Sequence, residues 1–155
     1  MANHCENVLR VSGNAVELLN FDIQFRGNND ESYHFDNLYP TPKGLNICDV
    51  CDWRKKHWSV KGNFYEDSFD CDKVHRDMTE AYYYFDTPWV GPEKLIQHIS
   101  KKYKGLEFML VFSEPGNGVR GLCVYSGGNI ISEEKLSDAD IEYWFGVDEK
   151  AERGA

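Results

Sequence analysis

The stretch Pro92-Glu-Lys-Leu-Ile-Gln-His-Ile-Ser-Lys-Lys-Tyr-Lys-Gly105 and the apolar run Phe108-Met-Leu-Val-Phe112 that follows it decide the fold. Proline suits the first turn of a helix, and glycine commonly ends one. Between them, apolar side chains recur at helical spacing along one face, and these are Leu95, Ile96, Ile99 and Tyr103. A short apolar run beyond a helix-ending glycine is typical of a buried strand. This stretch therefore predicts an amphipathic helix that leads into a buried strand.

The amino-terminal part predicts a strand followed by a first helix. Residues 7 to 13 combine apolar residues with a terminal Ser-Gly pair, as a short strand does. Asn14 precedes Glu17 by three residues, which is the spacing of a helix capping box. The run from 21 to 25 also alternates like a strand, but we favour a helix that ends near Gly27. One face of that helix carries the apolar residues Val16, Leu19 and Ile23.

The middle of the chain predicts an irregular insert and two neighbouring strands. Residues 28 to 56 are polar and interrupted by Gly, Pro and Asn, which favours an insert without regular structure. His57 to Tyr65 and Ala81 to Phe85 contain aromatic and β-branched residues and are predicted to be the two strands.

The carboxyl-terminal part predicts further strands and a short helix. Val119 to Tyr125 runs back from a turn, and Gly127-Gly128-Asn129 then turns the chain into Ile130-Ile131. Ser137, with Asp140 three residues on, begins a short terminal helix. The order β-α-β-β-α-β-β with a terminal helix predicts an α+β fold of the split βαβ kind, with an antiparallel sheet and two helices on one face.

Length and composition bound the organisation of the chain. With 155 residues, 41% of them hydrophobic and 14% aromatic, residues 1–155 are expected to form a single domain with a substantial core. A disordered tail is expected from about residue 148. No apolar run is long enough to cross a bilayer, and the first residues lack the pattern of a secretory signal. The odd number of cysteines, five, favours reduced thiols and therefore a cytoplasmic protein.

The formal net charge of −9 disfavours binding to phosphate backbones. Acidic residues cluster at 66 to 80 and at 133 to 152, whereas the dense basic stretch is Arg54-Lys55-Lys56, with His57 and Lys61 close behind. A solvated acidic surface explains the acidic clusters, and imitation of nucleic acid is the alternative explanation. The aromatic strand around Tyr83 lies among acidic residues, so direct nucleic-acid binding is not expected.

Several segments of the chain match a known family pattern in collinear order. They are Met1 to Gly13, Phe35-Asp-Asn-Leu-Tyr-Pro-Thr-Pro42, His57-Trp-Ser-Val-Lys-Gly-Asn63, Phe85-Asp-Thr-Pro-Trp89 with Pro92, and Leu106 to Gly121. In these segments the chain resembles the YubB-like ferredoxin-fold family of phage-, plasmid- and bacterially encoded proteins. The resemblance implies a ferredoxin-like sheet and a bacterial host cell, and it implies no particular reaction.

The chain also departs from that family pattern. His4 stands where the family usually has Trp, and Val90-Gly91 replace Ser-Pro before the second helix. Ser59 and Gly62 replace Gly and Trp in the predicted strand. If the family strand and helix entry form a ligand site, that site is altered here.

The first candidate site consists of Trp58, Lys61, Asp86, Trp89 and Glu114. Asp86 and Trp89 precede the second helix, whose free N–H groups can hold an anion. Lys61 and an aromatic face would complete a site for a small phosphorylated ligand. Trp58 and Lys61 would point to opposite sides of a sheet, so one of them is expected in the core. In the alternative interpretation Asp86 caps the turn and both tryptophans pack.

The second candidate is a structural zinc site formed by Cys48, Cys51, Cys71 and His75. The Cys-x-x-Cys pair can hold one side of a zinc ion, and the Cys and His four residues apart can complete the tetrahedron. Four protein ligands would leave no open position for catalysis. Scattered reduced cysteines are the favoured alternative, because the predicted strand that carries Trp58 separates the two halves. The lone His34 and His98 are interpreted as surface groups.

These features favour a small non-enzymatic accessory protein of a phage or plasmid. It would bind a small anionic ligand, such as a nucleotide, or a host protein, for example in counter-defence. The sequence matches no phosphate-cradling loop, His-Glu-x-x-His helix or nucleophile elbow, so no catalytic residue is predicted, although an enzyme is left open. One alternative is an acidic decoy that acts through residues 133 to 152. Another is a zinc-stabilised nucleic-acid-associated protein or an enzyme acting on nucleotides.

Overall fold

The computed structural model describes residues 2–27, 32–69 and 75–146 of the chain. Its strands are β1 (His4–Gly13), β2 (His75–Arg76), β3 (Glu80–Pro88), β4 (Leu106–Glu114), β5 (Val119–Ser126) and β6 (Asn129–Glu134). Its α-helices are α1 (Ala15–Arg26), α2 (Ile47–Trp58), α3 (Glu93–Ser100) and α4 (Asp138–Phe145). None of the described helices has the length and apolar character needed to span a bilayer. The tail predicted from about residue 148 lies outside the described residues.

Six strands of the described residues form one antiparallel sheet in the order β2-β3-β1-β4-β5-β6. At its centre, Leu9 of β1 pairs with Tyr83 of β3 on one side and with Leu110 of β4 on the other. The unit β1-α1-β2 leaves room for β3 between its strands, and β3-α3-β4 does the same for β1, which is the split βαβ arrangement. The strands β5 and β6 extend the sheet beyond β4. The predicted α+β, ferredoxin-like fold is confirmed.

Helix α1 begins where the sequence predicts and buries a different face. The side chain of Asn14 accepts the backbone N–H groups of Val16 and Glu17, both at 3.0 Å. Glu17 does not complete a capping box, because its carboxylate accepts the N–H of Gly105 at 3.2 Å. The buried side chains are Leu18, Phe21, Asp22 and Phe25, whereas Val16, Leu19 and Ile23 are exposed. The core selects the face with two phenylalanines because these rings remove more apolar area from water.

An aromatic core fills the space between the sheet and the helices α1, α2 and α3. Phe21 of α1 meets Tyr83, Tyr103 and Phe108 edge-on, with ring centroids 5.9, 5.7 and 5.2 Å away. Edge-to-face contacts are a favoured geometry for buried aromatic rings. They fix α1 and the segment after α3 on the same side of the sheet, as the sequence predicts.

The opposite side of the sheet is covered by α4. Its start has the predicted cap, since the hydroxyl of Ser137 accepts the N–H of Asp140 and the carboxylate of Asp140 accepts the N–H of Ser137. A small apolar cluster joins this helix to the sheet, and it contains Val8, Val111, Leu136, Ile141, Trp144 and Phe145. The predicted short terminal helix is therefore present and packs on the second face.

The predicted insert and the strand after it require a correction. Residues 47 to 58 of the described chain form α2, which Asn46 caps by accepting the N–H of Asp49 at 2.9 Å. The predicted strand His57 to Tyr65 is wrong, because His57 and Trp58 end this helix and the following residues join no ladder. Three basic residues in the last turn complement the helix dipole. The strand that precedes β3 is β2 instead.

Candidate functional site

The structure places Trp58 in the core. Its side chain is fully buried, and its ring meets Phe35 edge-on with centroids 5.8 Å apart. The indole N–H donates to the carbonyl oxygen of Tyr39 at 3.0 Å. Lys61 is half-buried in the segment that follows α2. Trp58 therefore packs, as the alternative interpretation of the first candidate site expects.

Asp86 lies on the other face of the sheet. Its neighbour Phe85 points into the aromatic core, so Asp86 points to the face that α4 covers. Its carboxylate lies 3.1 Å from Nδ1 of His4, and the His4 ring stacks on Tyr65 with centroids 4.0 Å apart. The backbone N–H of Asp86 donates to the hydroxyl of Ser68 at 2.8 Å. Asp86 and Trp58 consequently cannot contact the same small ligand.

The two remaining residues of the first candidate site have separate local roles. Trp89 is half-exposed and adopts a left-handed backbone conformation with φ of 67°, while its N–H donates to the carbonyl of Asn3. Glu114 is buried, and its carboxylate accepts the N–H groups of Gly116 and Asn117 in the β4–β5 turn. The structure does not bring the five predicted residues together into one site.

The predicted anion cradle at the start of α3 already has protein partners. The N–H of Lys94 donates to the hydroxyl of Ser59 at 3.1 Å, and the N–H of Glu93 donates to the carbonyl of Gly91 at 2.9 Å. A ligand at this helix terminus would have to displace the Ser59 hydroxyl.

The predicted zinc quartet falls only partly on described residues. Cys48 and Cys51 lie three apart on α2, where the first is exposed and the second half-buried. Cys71 and the side chain of His75 lie outside the described residues. The quartet therefore stays a prediction.

Four half-buried rings form a continuous row across α2, α3 and the segment before α2. Trp53 stacks on His57 with centroids 4.4 Å apart, one helical turn along α2. Nδ1 of His57 lies 3.1 Å from the hydroxyl of Tyr39. The Tyr39 ring in turn stacks on His98 of α3, with centroids 3.6 Å apart and planes within 13°. We call Trp53, His57, Tyr39 and His98 the aromatic–histidine row.

Lysines without ion-pair partners border this row. Within the described residues every arginine forms an ion pair with a carboxylate, whereas no lysine does. Nζ of Lys94 donates instead to the carbonyl oxygen of Lys56 at 3.3 Å, at the end of α2. Lys101 lies close enough to His98 for its charge to act on that ring. We call the aromatic–histidine row together with Lys56, Lys94 and Lys101 the basic surface.

The electrostatics of the basic surface favour an anion. Burial lowers the pKa of His98 below its ordinary value, and the nearby charges of Lys101 and His57 lower it further. Neither histidine of the row has a carboxylate within ion-pair distance among the described residues. An anion bound between these groups would relieve their mutual repulsion and favour protonation of His98.

A second cluster of ionisable groups lies at the start of α3. Ligand atoms of Glu93, Cys123 and Glu133 all lie within 4.8 Å of one another. The thiol of Cys123 is buried and lies 3.5 Å from a carboxylate oxygen of Glu93. Burial raises the pKa of Cys123 to about 11. These three residues are the group in the described part of the chain with the spacing to hold a metal ion.

Comparisons with known proteins agree with the fold. A family model described as the ferredoxin-like domain in Api92-like protein matches residues 68–152. The chain is also similar to the crystal structure of protein api92 from Yersinia pseudotuberculosis, with a TM-score of 0.53 and 18% sequence identity. That similarity covers 66% of this chain and 39% of the other, and it shows the fold alone. No curated protein matches the chain.

Proposed function

The chain belongs to the family of ferredoxin-like domains in Api92-like proteins, and from this premise we propose that it is a non-enzymatic protein that binds a small phosphate-bearing ligand, such as a nucleotide, on its basic surface. The resemblance to the YubB-like family supports the further proposal that it serves a phage or plasmid as an accessory protein. The observation that carries the binding proposal is the pair of ring-stacked histidines bordered by lysines without carboxylate partners.

The chemistry of the basic surface fits a phosphate group. Lysine ammonium groups act as point charges toward phosphate oxygens, and a protonated imidazole adds a charge-assisted donor. The Lys94 ammonium group is held at the junction of α2 and α3 by the carbonyl oxygen of Lys56, so part of the cost of ordering it is met before a ligand arrives. A phosphate dianion would offset two of the three positive charges that Lys56, Lys94 and the imidazolium of His98 carry. Ligand binding and protonation of His98 would therefore favour each other.

The aromatic rings make a nucleotide a better fit than inorganic phosphate. Trp53 and Tyr39 are half-buried, so each residue keeps part of its surface open to solvent. Stacking of a base on such a ring contributes about 1–3 kcal/mol. A ligand that carries both a base and a phosphate would use the rings and the cations together.

Extended nucleic acid fits less well. The formal net charge of −9 repels a polyanion beyond the range of the basic surface. The exposed ring of Tyr84 on β3 lies two residues from Asp86, so the sheet does not offer the basic, aromatic platform on which single strands stack. The proposal is thus limited to small ligands.

Calorimetric titration with a panel of cyclic and linear nucleotides tests this function. We expect at least one of them to bind, and the double substitution Lys56→Gln with Lys94→Gln to weaken its binding about tenfold or more, since each charged hydrogen bond contributes about 1.5–3 kcal/mol. The matched control is Lys104→Gln with Lys135→Gln, which removes the same charge from exposed lysines outside the basic surface.

The control separates a specific site from general attraction. If both double variants weaken binding equally, the effect is one of net charge and the proposed site is wrong. A complete panel without heat or thermal stabilisation would argue against a nucleotide ligand altogether.

A further inference from the structure

Three elements of the fold bring a thiol and two carboxylates to one place. Glu93 is the first residue of α3, Cys123 lies in β5, and Glu133 lies directly opposite Cys123 in β6. Cross-strand partners point to the same face of a sheet, so the Glu133 side chain shares the side on which α3 packs. The ligand atoms of all three residues lie within 4.8 Å of one another.

Two members of this cluster, Cys123 and Glu93, already have the spacing of ligands in a tetrahedral zinc site. Zinc bonds of about 2.3 Å to sulfur and about 2.0 Å to oxygen place those two ligand atoms about 3.5 Å apart. Sγ of Cys123 and Oε1 of Glu93 are 3.5 Å apart. Cys123 is only 3% exposed, and Glu93 is half-buried in the first turn of α3. Glu133 is exposed and is free to close on an ion.

The cluster also lacks a positive charge. Neither Glu93 nor Glu133 forms an ion pair with a Lys, Arg or His of the described residues. A divalent cation would supply the charge that these two carboxylates lack.

We propose that Glu93, Cys123 and Glu133 bind zinc through one sulfur and two oxygens. The thiolate favours zinc over the hard cations magnesium and calcium, which prefer oxygen ligands alone. Binding forms the zinc–sulfur bond, and the thiol proton that it displaces passes to the solvent. Three protein ligands leave the fourth tetrahedral position to water or to another molecule. This site is separate from the Cys48, Cys51, Cys71 and His75 quartet.

Native mass spectrometry of the full chain with added zinc, together with absorption spectra of the cobalt-loaded protein, tests the proposal. We expect one ion per chain and a sulfur-to-cobalt charge-transfer band, which reports the thiolate directly. Cys123→Ser should abolish that band. Glu133→Gln, at an exposed position that leaves the core intact, should weaken zinc binding about tenfold or more.

A second pair of variants distinguishes the two zinc hypotheses. The double substitution Cys48→Ser with Cys51→Ser should leave both the stoichiometry and the charge-transfer band unchanged. The proposal is overturned if zinc does not bind at micromolar concentration. It is also overturned if binding survives Glu133→Gln at full strength, or if the Cys48 and Cys51 variant alone loses the band. Circular dichroism of each variant identifies any that fails to fold, and Glu133→Gln keeps the test decisive if Cys123→Ser is one of them.

Discussion

The hydroxyl of Ser59 accepts the backbone N–H of Lys94 at 3.1 Å and thereby joins the end of α2 to the start of α3. Ser59 reaches this position because it ends α2 in the left-handed conformation, with φ of 72°. The same junction carries the contact between the Lys94 ammonium group and the carbonyl of Lys56. One residue therefore satisfies a backbone N–H in the first turn of α3 and connects the two helices that bear the basic surface.

Ser59→Ala should destabilise the protein by about 1 kcal/mol, because it removes the cap of Lys94 and keeps a side chain in the left-handed conformation. Ser59→Gly should cost less, since glycine adopts this conformation without strain and only the cap is lost. Urea denaturation of the two variants checks the order. A glycine variant less stable than the alanine variant would contradict this role for Ser59.

Gly91→Ala should destabilise the protein by about 1–3 kcal/mol. A methyl group at this position would lie 2.9 Å from the Phe112 ring and 3.0 Å from Oδ1 of Asn7, both of which are buried. Gly62→Ala is the matched control, because nothing lies within 4 Å of the corresponding position. Thermal denaturation of both variants measures the difference in stability. Equal melting temperatures would show that the core around Phe112 rearranges to accommodate the methyl group.

Asp22→Asn should destabilise the protein by about 1.5–3 kcal/mol, since it weakens the charge-assisted hydrogen bonds that the buried carboxylate accepts. The Asp22 side chain is 5% exposed and pairs with Arg26 at 3.1 Å and Arg76 at 3.7 Å. It also accepts the hydroxyl groups of Tyr33 and Tyr83 at 2.9 and 2.8 Å.

The matched control for the Asp22 variant is an exposed ion pair. Asp138 is 80% exposed and pairs with Arg120, so Asp138→Asn should cost less than about 1 kcal/mol. Denaturant titration of both variants gives the comparison. Similar losses of stability in the two variants would mean that burial does not determine how strongly the contacts of Asp22 stabilise the protein.

Acidification should destabilise the ligand-free protein through His98. The pKa of His98 in the folded protein lies below its ordinary value of 6.5, so the unfolded chain binds more protons as the pH falls through that value. The contribution of neutral His98 is complete above that pH and is lost as the pH falls toward the folded pKa. The groups that act on it are Lys101 and His57.

His98→Gln should therefore flatten the loss of stability between about pH 7.5 and pH 5.5. Some slope should remain, because burial also lowers the pKa of His34. Melting curves across this range measure the slope, and a saturating phosphate-bearing ligand should reduce it in the unsubstituted protein. An identical slope in the variant would show that His98 does not control the acid response.

The fold was predictable where local signals and tertiary packing agree. Helix α3 and strand β4 follow from a proline start, one apolar face and a glycine stop. Helix α4 follows from its capping residues. The predicted strand around Trp58 is wrong for a physical reason. Trp58, Val60 and Phe64 are buried and are separated by two and four residues, as side chains on one face of a strand would be. However, Ser59 has a left-handed backbone conformation and the segment joins no ladder. Burial periodicity without hydrogen bonds does not make a strand.

The candidate site was less predictable than the fold. The basic stretch around Lys56 is evident in the sequence, but its partner surface on α3 is not. The sequence indicates only a lone surface group at His98, since its stacking partner Tyr39 lies 59 positions away along the chain. Trp53 and His57 lie four residues apart, which places their rings on one face of a helix, but this spacing is informative only once α2 is known. The sequence predicts one site for Asp86 and Trp58 because both lie in segments that resemble the family pattern. The alternation of β3 places Asp86 on the face opposite the core in which Trp58 is buried.

Side-chain nitrogen NMR spectra of the histidines, recorded during titration with the best-binding nucleotide, test the location of the proposed site most directly. We expect the signals of His57 and His98 to shift together and to saturate with the ligand, and that of His98 to move toward the protonated form, while those of His4 and His34 stay in place. Saturation of binding with the His57 and His98 signals unmoved, or with the response centred on His4, would contradict a ligand site on the basic surface.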